Sequence, residues 1–342
     1  MKPSLFRPFV IAATLGVFLT GCAKSSPDAA APAAAAASGT KIKLGFIVKQ
    51  PEEPWFQLEW KFADQAAADL GFDLVKIGAT DGEKTLSAIN NLAAGGAQGF
   101  VICTPDVKLG PAIAKSAAEH NLKLIAVDDR FVGSDGQPMA NVHYLGLSAR
   151  KVGANVGNAL NAEMKARNWP VAETGVCAVT FEELDTAKER TEGAIEALTT
   201  AGFPADKIFK APQKTSDIPG ARDAVNILLV QHPEVKHWLI CGMNDSAVLG
   251  AVRSTEGRGF AATDVIGVGI NGTDCIDELS KSSPTGFFAS NLNSAKDHGY
   301  NTAKMLFEWV KDNKEPPLDT RTTGMIINRS NFMQVLKDQG IR

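Results

Sequence analysis

Polar side chains follow the apolar runs of this sequence, at the points where those runs end. In the first half they are Lys49 after GFIV, Asp106 after VICTP, and the adjacent Asp128 and Asp129 after LIAV. In the second half they are Glu182 and Glu183 after AVTF, Asn244 and Asp245 after LICGM, and Asn271 after GVGI. Carboxylates, amides and an ammonium group can together satisfy the hydroxyls of a sugar, since each hydroxyl both donates and accepts hydrogen bonds. This pattern favours a binding site for a small polyhydroxylated ligand.

Helix capping is the alternative role for these asparagines and aspartates, because Asn and Asp are preferred caps and each precedes a predicted helix. Capping does not account for Lys49, nor for two acids in a row at Asp128 and Asp129, because a cap needs one acceptor. A polar cleft accounts for them together.

Trp55 and Phe56 follow the first apolar run and the short PEEP segment. An aromatic ring there could lie against the aliphatic face of a pyranose. Packing in the core of a helix is the alternative role for each of them.

An enzyme is the main alternative class. Asp128, Asp129, Glu182 and Glu183 could in principle supply the two carboxylates of a glycosidase. The sequence contains no GxSxG, HExxH or Walker motif, and its histidines at 120, 143, 232, 237 and 298 lack metal-ligand spacing. We therefore expect a binding protein without catalytic residues, metal or cofactor.

Gly267, Gly269 and Gly272 fit the spacing of a dinucleotide fingerprint. They belong to a late unit of the second predicted domain, and Asn271 within the motif is better explained as a cleft residue. We do not expect a bound dinucleotide.

Short β-branched runs alternate with amphipathic stretches from Lys41 onward, which predicts an α/β protein with parallel sheets covered by helices on both faces. In the first half the predicted helices span 55–71, 82–97 and 108–121, and a less regular stretch covers 130–148. In the second half the predicted helices span 149–168, 185–202 and 218–232, followed by one that ends near 257 and by helices over 272–282 and 294–313. One last strand and one last helix are predicted within 321–340. At 342 residues the chain favours two doubly wound domains, and the surplus C-terminal elements predict that the chain crosses between them more than once.

The N-terminus has the pattern of an export signal. Lys2 and Arg7 precede an apolar stretch that is short for a membrane span, and Leu-Thr-Gly then leads to Cys22. This resembles a bacterial lipobox, so residues 1–21 are predicted to be a lipoprotein signal peptide with Cys22 as the lipidation site; an ordinary signal peptide is the alternative. Residues 22–39, rich in Ala, Pro and Ser, are predicted to be a flexible tether. Periplasmic localisation with a lipid anchor follows.

The remaining cysteines are Cys103, Cys177, Cys241 and Cys275. Three of them lie in apolar runs and none has CxxC spacing, so buried free thiols are favoured over disulfides.

Several long segments resemble one family closely. They are LGFIVKQPEEPWFQLEWKFAD (44–64), DGEKTL (81–86), GFVICTPD (99–106), AVDD (126–129), ELDTAKERT (183–191), VQHPEVKHWLICGMNDSAVLG (230–250) and GVGINGTD (267–274). These residues resemble the L-arabinose-binding proteins of bacterial ABC transporters, and the similarity extends from about Lys41 to the C-terminus. The resemblance implies a type I periplasmic binding protein with a three-segment hinge. Its N-terminal lobe would comprise 40–147 plus 294–322, and its C-terminal lobe 148–293 plus 323–342.

The resemblance also implies roles for individual residues. Eight polar residues would form the hydrogen-bonding shell around the sugar or support that shell. They are Lys49, Glu53, Asp128, Asp129, Arg190, Asn244, Asn271 and Asp274. Trp55 and Phe56 would flank the ring, Met243 would pack nearby, and Cys103 would line the pocket. L-arabinose is the expected ligand, with D-galactose or D-fucose as further ligands; another neutral monosaccharide is the alternative.

Two positions depart from the family pattern. Leu147 stands where the compared family member has Met, and Asn293 stands where it has Pro. Both are expected near the sugar and the hinge, so we hypothesise an altered ranking among sugars that differ at C5.

The implied partners are a monosaccharide and an inner-membrane ABC permease, with a chemoreceptor left open. A monomer is expected. The formal net charge of −3, with the 35 basic residues scattered, gives no basic patch for nucleic acid. A transcriptional regulator of the same architecture would need a helix-turn-helix where the predicted signal and tether lie.

Overall fold

The computed structural model describes residues 41–342. The predicted signal peptide, the lipidation site Cys22 and the tether lie outside the described residues. Within 41–342, no helix is both long enough and apolar enough to cross a membrane.

Two six-stranded sheets form the framework. The first has the order β11-β5-β4-β3-β1-β2 and the second has the order β12-β10-β9-β8-β6-β7. The strands of the first sheet are β1 (Lys43–Val48), β2 (Asp73–Gly78), β3 (Gly99–Ile102), β4 (Lys123–Asp128), β5 (His143–Leu147) and β11 (Asp319–Thr322). Those of the second are β6 (Thr174–Thr180), β7 (Ile208–Pro212), β8 (His237–Gly242), β9 (Val265–Asn271), β10 (Phe287–Leu292) and β12 (Met325–Asn328). All ladders are parallel except β10 with β12.

Helices cover both faces of each sheet. They are α1 (Pro54–Leu70), α2 (Gly82–Ala94), α3 (Gly110–Glu119), α4 (Ala149–Ala166), α5 (Asp185–Thr200), α6 (Ile218–Gln231), α7 (Asp245–Gly257), α8 (Cys275–Ser280), α9 (Thr302–Asp312) and α10 (Phe332–Asp338). Because both faces are covered, the inner strands are apolar at nearly every position. Phe46 and Val48 pack on one face of the first sheet, whereas Ile47 packs on the other.

Local signals explain where several helices begin and end. The Asp81 and Asp217 carboxylates accept hydrogen bonds from the Lys84 and Gly220 backbone amides at the starts of α2 and α6. Gly71 ends α1 at φ 78°, a left-handed conformation that glycine adopts without a steric penalty.

The chain passes from one sheet to the other at three places. The first follows β5 at Leu147, the second follows β10 at Asn293, and the third is the pair Thr323-Gly324 between β11 and β12. A Cβ atom at Gly324 would collide with the Asn291 side-chain amide, so a side chain does not fit at this crossing without rearrangement. Three segments of the chain therefore connect the two sheets.

The fold prediction is confirmed, since the chain forms two parallel-sheet α/β domains. Two details differ. The irregular stretch 130–148 contains β5, and the single strand expected at 321–340 is two four-residue strands, one on the edge of each sheet. Only Thr323 and Gly324 separate the two strands. Because this gap is so short, the sequence pattern predicts a single strand.

Candidate functional site

A cavity of about 870 Å³ lies where the carboxyl ends of the two sheets face each other. This is the edge at which open parallel sheets bind ligands. Its volume falls within the range of small-molecule sites, roughly 300–1,000 Å³.

Most of the predicted site residues line this cavity. They are Lys49, Glu53, Trp55, Phe56, Asp128, Asp129, Leu147, Arg190, Met243, Asn244, Asn271 and Asn293. Cys103 and Asp274 are not among the lining residues. Cys103 is fully buried in the core beneath Asp129, with its Sγ 3.6 Å from Asp129 Oδ2, and Asp274 accepts a hydrogen bond of 2.7 Å from Ser246 Oγ. Cys103, directly after β3, thus lies one layer behind the cavity wall and contacts the lining residue Asp129.

Lys49 and Asp129 form an ion pair at the cavity wall, with Lys49 Nζ 2.6 Å from Asp129 Oδ2. Burial by itself would raise the pKa of Asp129, but the Lys49 ammonium and hydrogen bonds from Lys49 and Thr186 outweigh it and hold that pKa below its usual value. Burial would lower the pKa of Lys49, and the Asp129 charge reverses this and raises it. Both groups are therefore charged at neutral pH.

Asp129 also contacts the other domain. Thr186 Oγ1, on α5 beside the second sheet, donates to Asp129 Oδ1 over 2.8 Å. One carboxylate thus joins a lysine of the first domain to a threonine of the second.

Asp128 accepts hydrogen bonds at three oxygens. Trp55 Nε1 lies 3.2 Å from Oδ2, His298 Nδ1 lies 2.6 Å from Oδ1, and the Tyr144 hydroxyl donates to the Asp128 backbone carbonyl over 2.7 Å. The residue has φ 62°, in the left-handed region that is uncommon for non-glycine residues. These contacts fix the carboxylate at the end of β4 in spite of that backbone conformation.

His298 and Glu59 lie behind Asp128 and were not predicted as site residues. Both are fully buried, and neither Glu59 carboxylate oxygen has a hydrogen-bond partner among the described residues. Burial and the neighbouring Asp128 carboxylate raise the pKa of Glu59 well above its usual value. Glu59, Asp128 and His298 each have one potential metal-ligating atom, and these three atoms lie within 4.8 Å of one another. This spacing would allow them to coordinate a metal ion. The raised pKa favours the protonated form of Glu59, and a protonated carboxyl group can donate a hydrogen bond to a neighbouring carboxylate such as that of Asp128.

Glu53 lies at the cavity wall before α1. Its burial, together with repulsion from Asp274, raises its pKa from 4.5 to about 7, and the Lys49 charge only partly opposes the shift. Glu53 can therefore donate or accept a hydrogen bond near neutral pH.

The second domain contributes a guanidinium group and three amides, those of Asn244, Asn271 and Asn293. Arg190 Nη1 donates to the Met243 backbone carbonyl over 2.8 Å, and its Nε is buried without a partner among the described residues. Asn244 Oδ1 accepts from the Ala247 amide and caps α7, so capping and cavity lining coexist at this residue. The loop after Asn271 is held by Asp245, whose Oδ2 lies 3.0 to 3.3 Å from three of its backbone amides.

Further lining residues come from the same strand ends. Asp106, Glu182 and Glu183 were noted in the sequence as strand-end residues; the others are Gln50, Thr80, Thr104, Pro105, Val107, Lys108, Phe181, Leu184 and Ser216. Most of them lie within four residues of the end of a strand, so reading a few residues past the end of each apolar run could have found them.

The four described cysteines are free and buried, as expected. Burial raises the pKa of Cys241 to about 12.

Comparisons with known proteins agree on one family. A sequence model described as "Periplasmic binding proteins and sugar binding domain of LacI family" matches residues 41–334. The L-arabinose-binding periplasmic protein of Escherichia coli is 56% identical over 306 residues, which cover 89% of this chain and 93% of that protein. The ABC transporter L-arabinose-binding periplasmic protein of Azospirillum brasilense is 47% identical over 90% of this chain and 92% of its own length.

Solved structures share the fold at low identity. A periplasmic solute-binding protein of an ABC transporter from Actinobacillus succinogenes, with bound D-allose, superposes with a TM-score of 0.72 at 16% identity. The match covers 86% of this chain and all (100%) of that one.

Proposed function

Because the chain belongs to the family of periplasmic binding proteins and sugar-binding domains of the LacI family, we propose that it is the substrate-binding protein of an ABC importer for L-arabinose. D-galactose and D-fucose are proposed as further ligands, and another neutral monosaccharide is the alternative. The two relatives that resemble it over about nine-tenths of its length are both named for L-arabinose.

One observation carries the proposal: the cavity brings hydrogen-bonding side chains from both sheets together. Lys49 and Asp128 come from the first domain, whereas Arg190 on α5 and the strand-end residues Asn244 and Asn271 come from the second. The buried Nε of Arg190 lacks a partner among the described residues, and a sugar oxygen would satisfy it. Trp55 and Phe56 supply aromatic surface at the same cavity.

Capture is proposed to occur by hinge closure. The lobes would be 40–147 plus 294–322, and 148–293 plus 323–342. Leu147 and Asn293 both line the cavity and both directly precede a crossing, so a ligand in the cavity lies beside the segments that would bend. A sugar that contacts both lobes favours the closed state by its extra contacts there, and the closed form then docks on the permease.

Lipid anchoring at Cys22 is part of the proposal. A Cys22→Ala variant should lose the incorporation of radiolabelled palmitate that the unaltered protein shows. If the unaltered protein takes up no label in a lipoprotein-processing host, the anchor is absent.

The sugar is tested by calorimetric titration with L-arabinose, D-galactose, D-fucose, D-xylose and D-ribose. We expect one-to-one binding of the first three, with L-arabinose near micromolar affinity, about −8 kcal/mol. Absence of binding to all five would mean another ligand. Release of nitrophenol from a nitrophenyl arabinoside would instead favour the glycosidase alternative.

The two family departures are tested in the same titration. Leu147→Met and Asn293→Pro should change the ranking of the sugars, because both positions line the cavity. An unchanged ranking would exclude them as determinants of choice.

A further inference from the structure

Four asparagine side chains form a continuous line of hydrogen bonds that ends at the cavity. Asn155 Nδ2 on α4 donates to Asn291 Oδ1 over 3.2 Å, and Asn291 Nδ2 donates to Asn293 Oδ1 over 3.0 Å. Asn293 Nδ2 then donates to Asn271 Oδ1 over 3.1 Å. Three of the four residues are buried, and Asn155 is half-buried.

The line has a direction, because a primary amide carries an acceptor oxygen on one side and two donor hydrogens on the other. The two middle amides, Asn291 and Asn293, each accept from the residue before them in the line and donate to the residue after them. Turning one member around would bring two oxygens or two NH₂ groups together in a buried site, which is costly.

Asn271 is the last member and it lines the cavity. Its oxygen is occupied by Asn293, and its Nδ2 has no hydrogen-bond partner within residues 41–342. The backbone is fixed as well, since the Asn293 amide donates to the Asn271 carbonyl over 3.2 Å. The Asn271 amide group that has no partner among residues 41–342 is therefore its donor, Nδ2.

We propose that Asn293, at the end of this amide line, is a specificity-determining residue that fixes Asn271 as a hydrogen-bond donor to the ligand. The inference rests on the proposed sugar-binding function. The bound sugar then needs an acceptor oxygen at one particular position, and the hydrogen of that hydroxyl is directed to another group.

Asn293→Asp tests the direction without changing the shape of the side chain. At pH 8 the second carboxylate oxygen would face Asn271 and accept from its Nδ2, so the Asn271 oxygen would turn to the cavity. Asn293→Leu removes the amide and leaves Asn271 free to take either orientation. Asn331→Asp is the matched control. The Asn331 Oδ1 atom accepts a hydrogen bond from the Asn328 backbone amide, and Asn331 does not line the cavity.

The probes are L-arabinose and its 2-, 3- and 4-deoxy and deoxyfluoro derivatives, titrated calorimetrically into the complete protein. Fluorine can accept a hydrogen bond weakly and cannot donate one. At one position the unaltered protein should bind the fluoro sugar roughly three- to tenfold more tightly than the deoxy sugar. Asn293→Asp should reverse that preference, and Asn331→Asp should keep it.

The outcomes separate the two proposals. If the unaltered protein does not bind L-arabinose, the proposed function fails and this inference fails with it. If it binds L-arabinose but discriminates against fluorine at every position, Asn271 is not a donor and the inference alone is overturned, whether or not the variants fold. The same holds if Asn293→Asp folds, binds and leaves the preference unchanged.

Discussion

His298 Nδ1 lies 2.6 Å from Asp128 Oδ1, and Asp128 lines the cavity, whereas His298 is fully buried behind it. The other ring nitrogen, Nε2, lies 2.8 Å from Thr322 Oγ1, at the end of β11. One imidazole therefore connects a cavity carboxylate to the third crossing between the domains.

Replacing His298 by Phe should weaken sugar binding at least tenfold and lower the free energy of unfolding by about 1–3 kcal/mol. The change keeps a ring but leaves a buried acceptor of Asp128 without its donor. Calorimetry and urea unfolding measure the two effects. His120→Phe, which alters an exposed histidine bonded to Asn90, should change neither; an equal effect of both variants would contradict the assigned role.

Replacing Lys49 by Met should destabilise the protein by about 3–5 kcal/mol and abolish measurable sugar binding. The substitution leaves the buried Asp129 carboxylate without its counter-charge. Lys76→Met is the matched control, because its ion pair with Asp64 is largely exposed and should contribute about 0–1 kcal/mol. Comparable losses in urea unfolding for the two variants would show that Lys49 does not compensate a buried charge.

Replacing Thr186 by Val should reduce sugar affinity about three- to tenfold with little loss of stability, since it removes the hydrogen bond to Asp129 across the cleft and keeps the shape. X-ray scattering with saturating sugar should show the same closed radius for both proteins. At limiting sugar, the variant should show a larger open fraction. Thr199→Val, at an exposed position of the same helix, should bind like the unaltered protein.

Replacing Glu53 by Gln should remove a pH-dependent part of the stability. The folded protein keeps a proton on Glu53 up to its raised pKa of about 7, whereas the unfolded chain releases it near 4.5. Between these values, raising the pH removes that proton from the folded state, so the free energy of unfolding falls; above 7 the effect is complete.

Urea unfolding from pH 4.5 to 8 measures this difference between Glu53→Gln and the unaltered protein. Asp245, whose pKa burial also raises to about 7, contributes the same slope to both and cancels in the comparison. Glu52→Gln, an exposed neighbour, should reproduce the unaltered slope. Parallel curves for Glu53→Gln and the unaltered protein would show that Glu53 has an ordinary pKa.

The sequence was sufficient to predict the architecture and most of the residues that line the cavity, and both follow from one physical reason. Parallel strands all end at the same edge, so the residue that ends an apolar run is placed at that edge whatever its role. Lys49, Asp128 and Asn271 were found in this way.

Three polar residues inside helical segments were missed, because this relation between strand ends and the sheet edge does not apply to them. Thr186 is the second residue of α5, and His298 lies in a single π-helical turn, Asp297–Asn301, before α9. Glu59 left a signal that was not used: it occupies the apolar face of α1 together with Phe56, Phe62 and Ala63. A charged residue at a core position of an amphipathic helix indicates a buried polar cluster.

The late position of β11 and β12 has a consequence for how the chain folds. Asp319 of β11 pairs with Tyr144, and Asn328 of β12 pairs with Ala289, so each sheet receives its edge strand only from the end of the chain. Contacts of such long sequence separation form slowly, because a long loop must close before they contribute. Neither sheet can therefore be completed until the chain has been synthesised beyond residue 318, so the last segment of the chain closes both sheets.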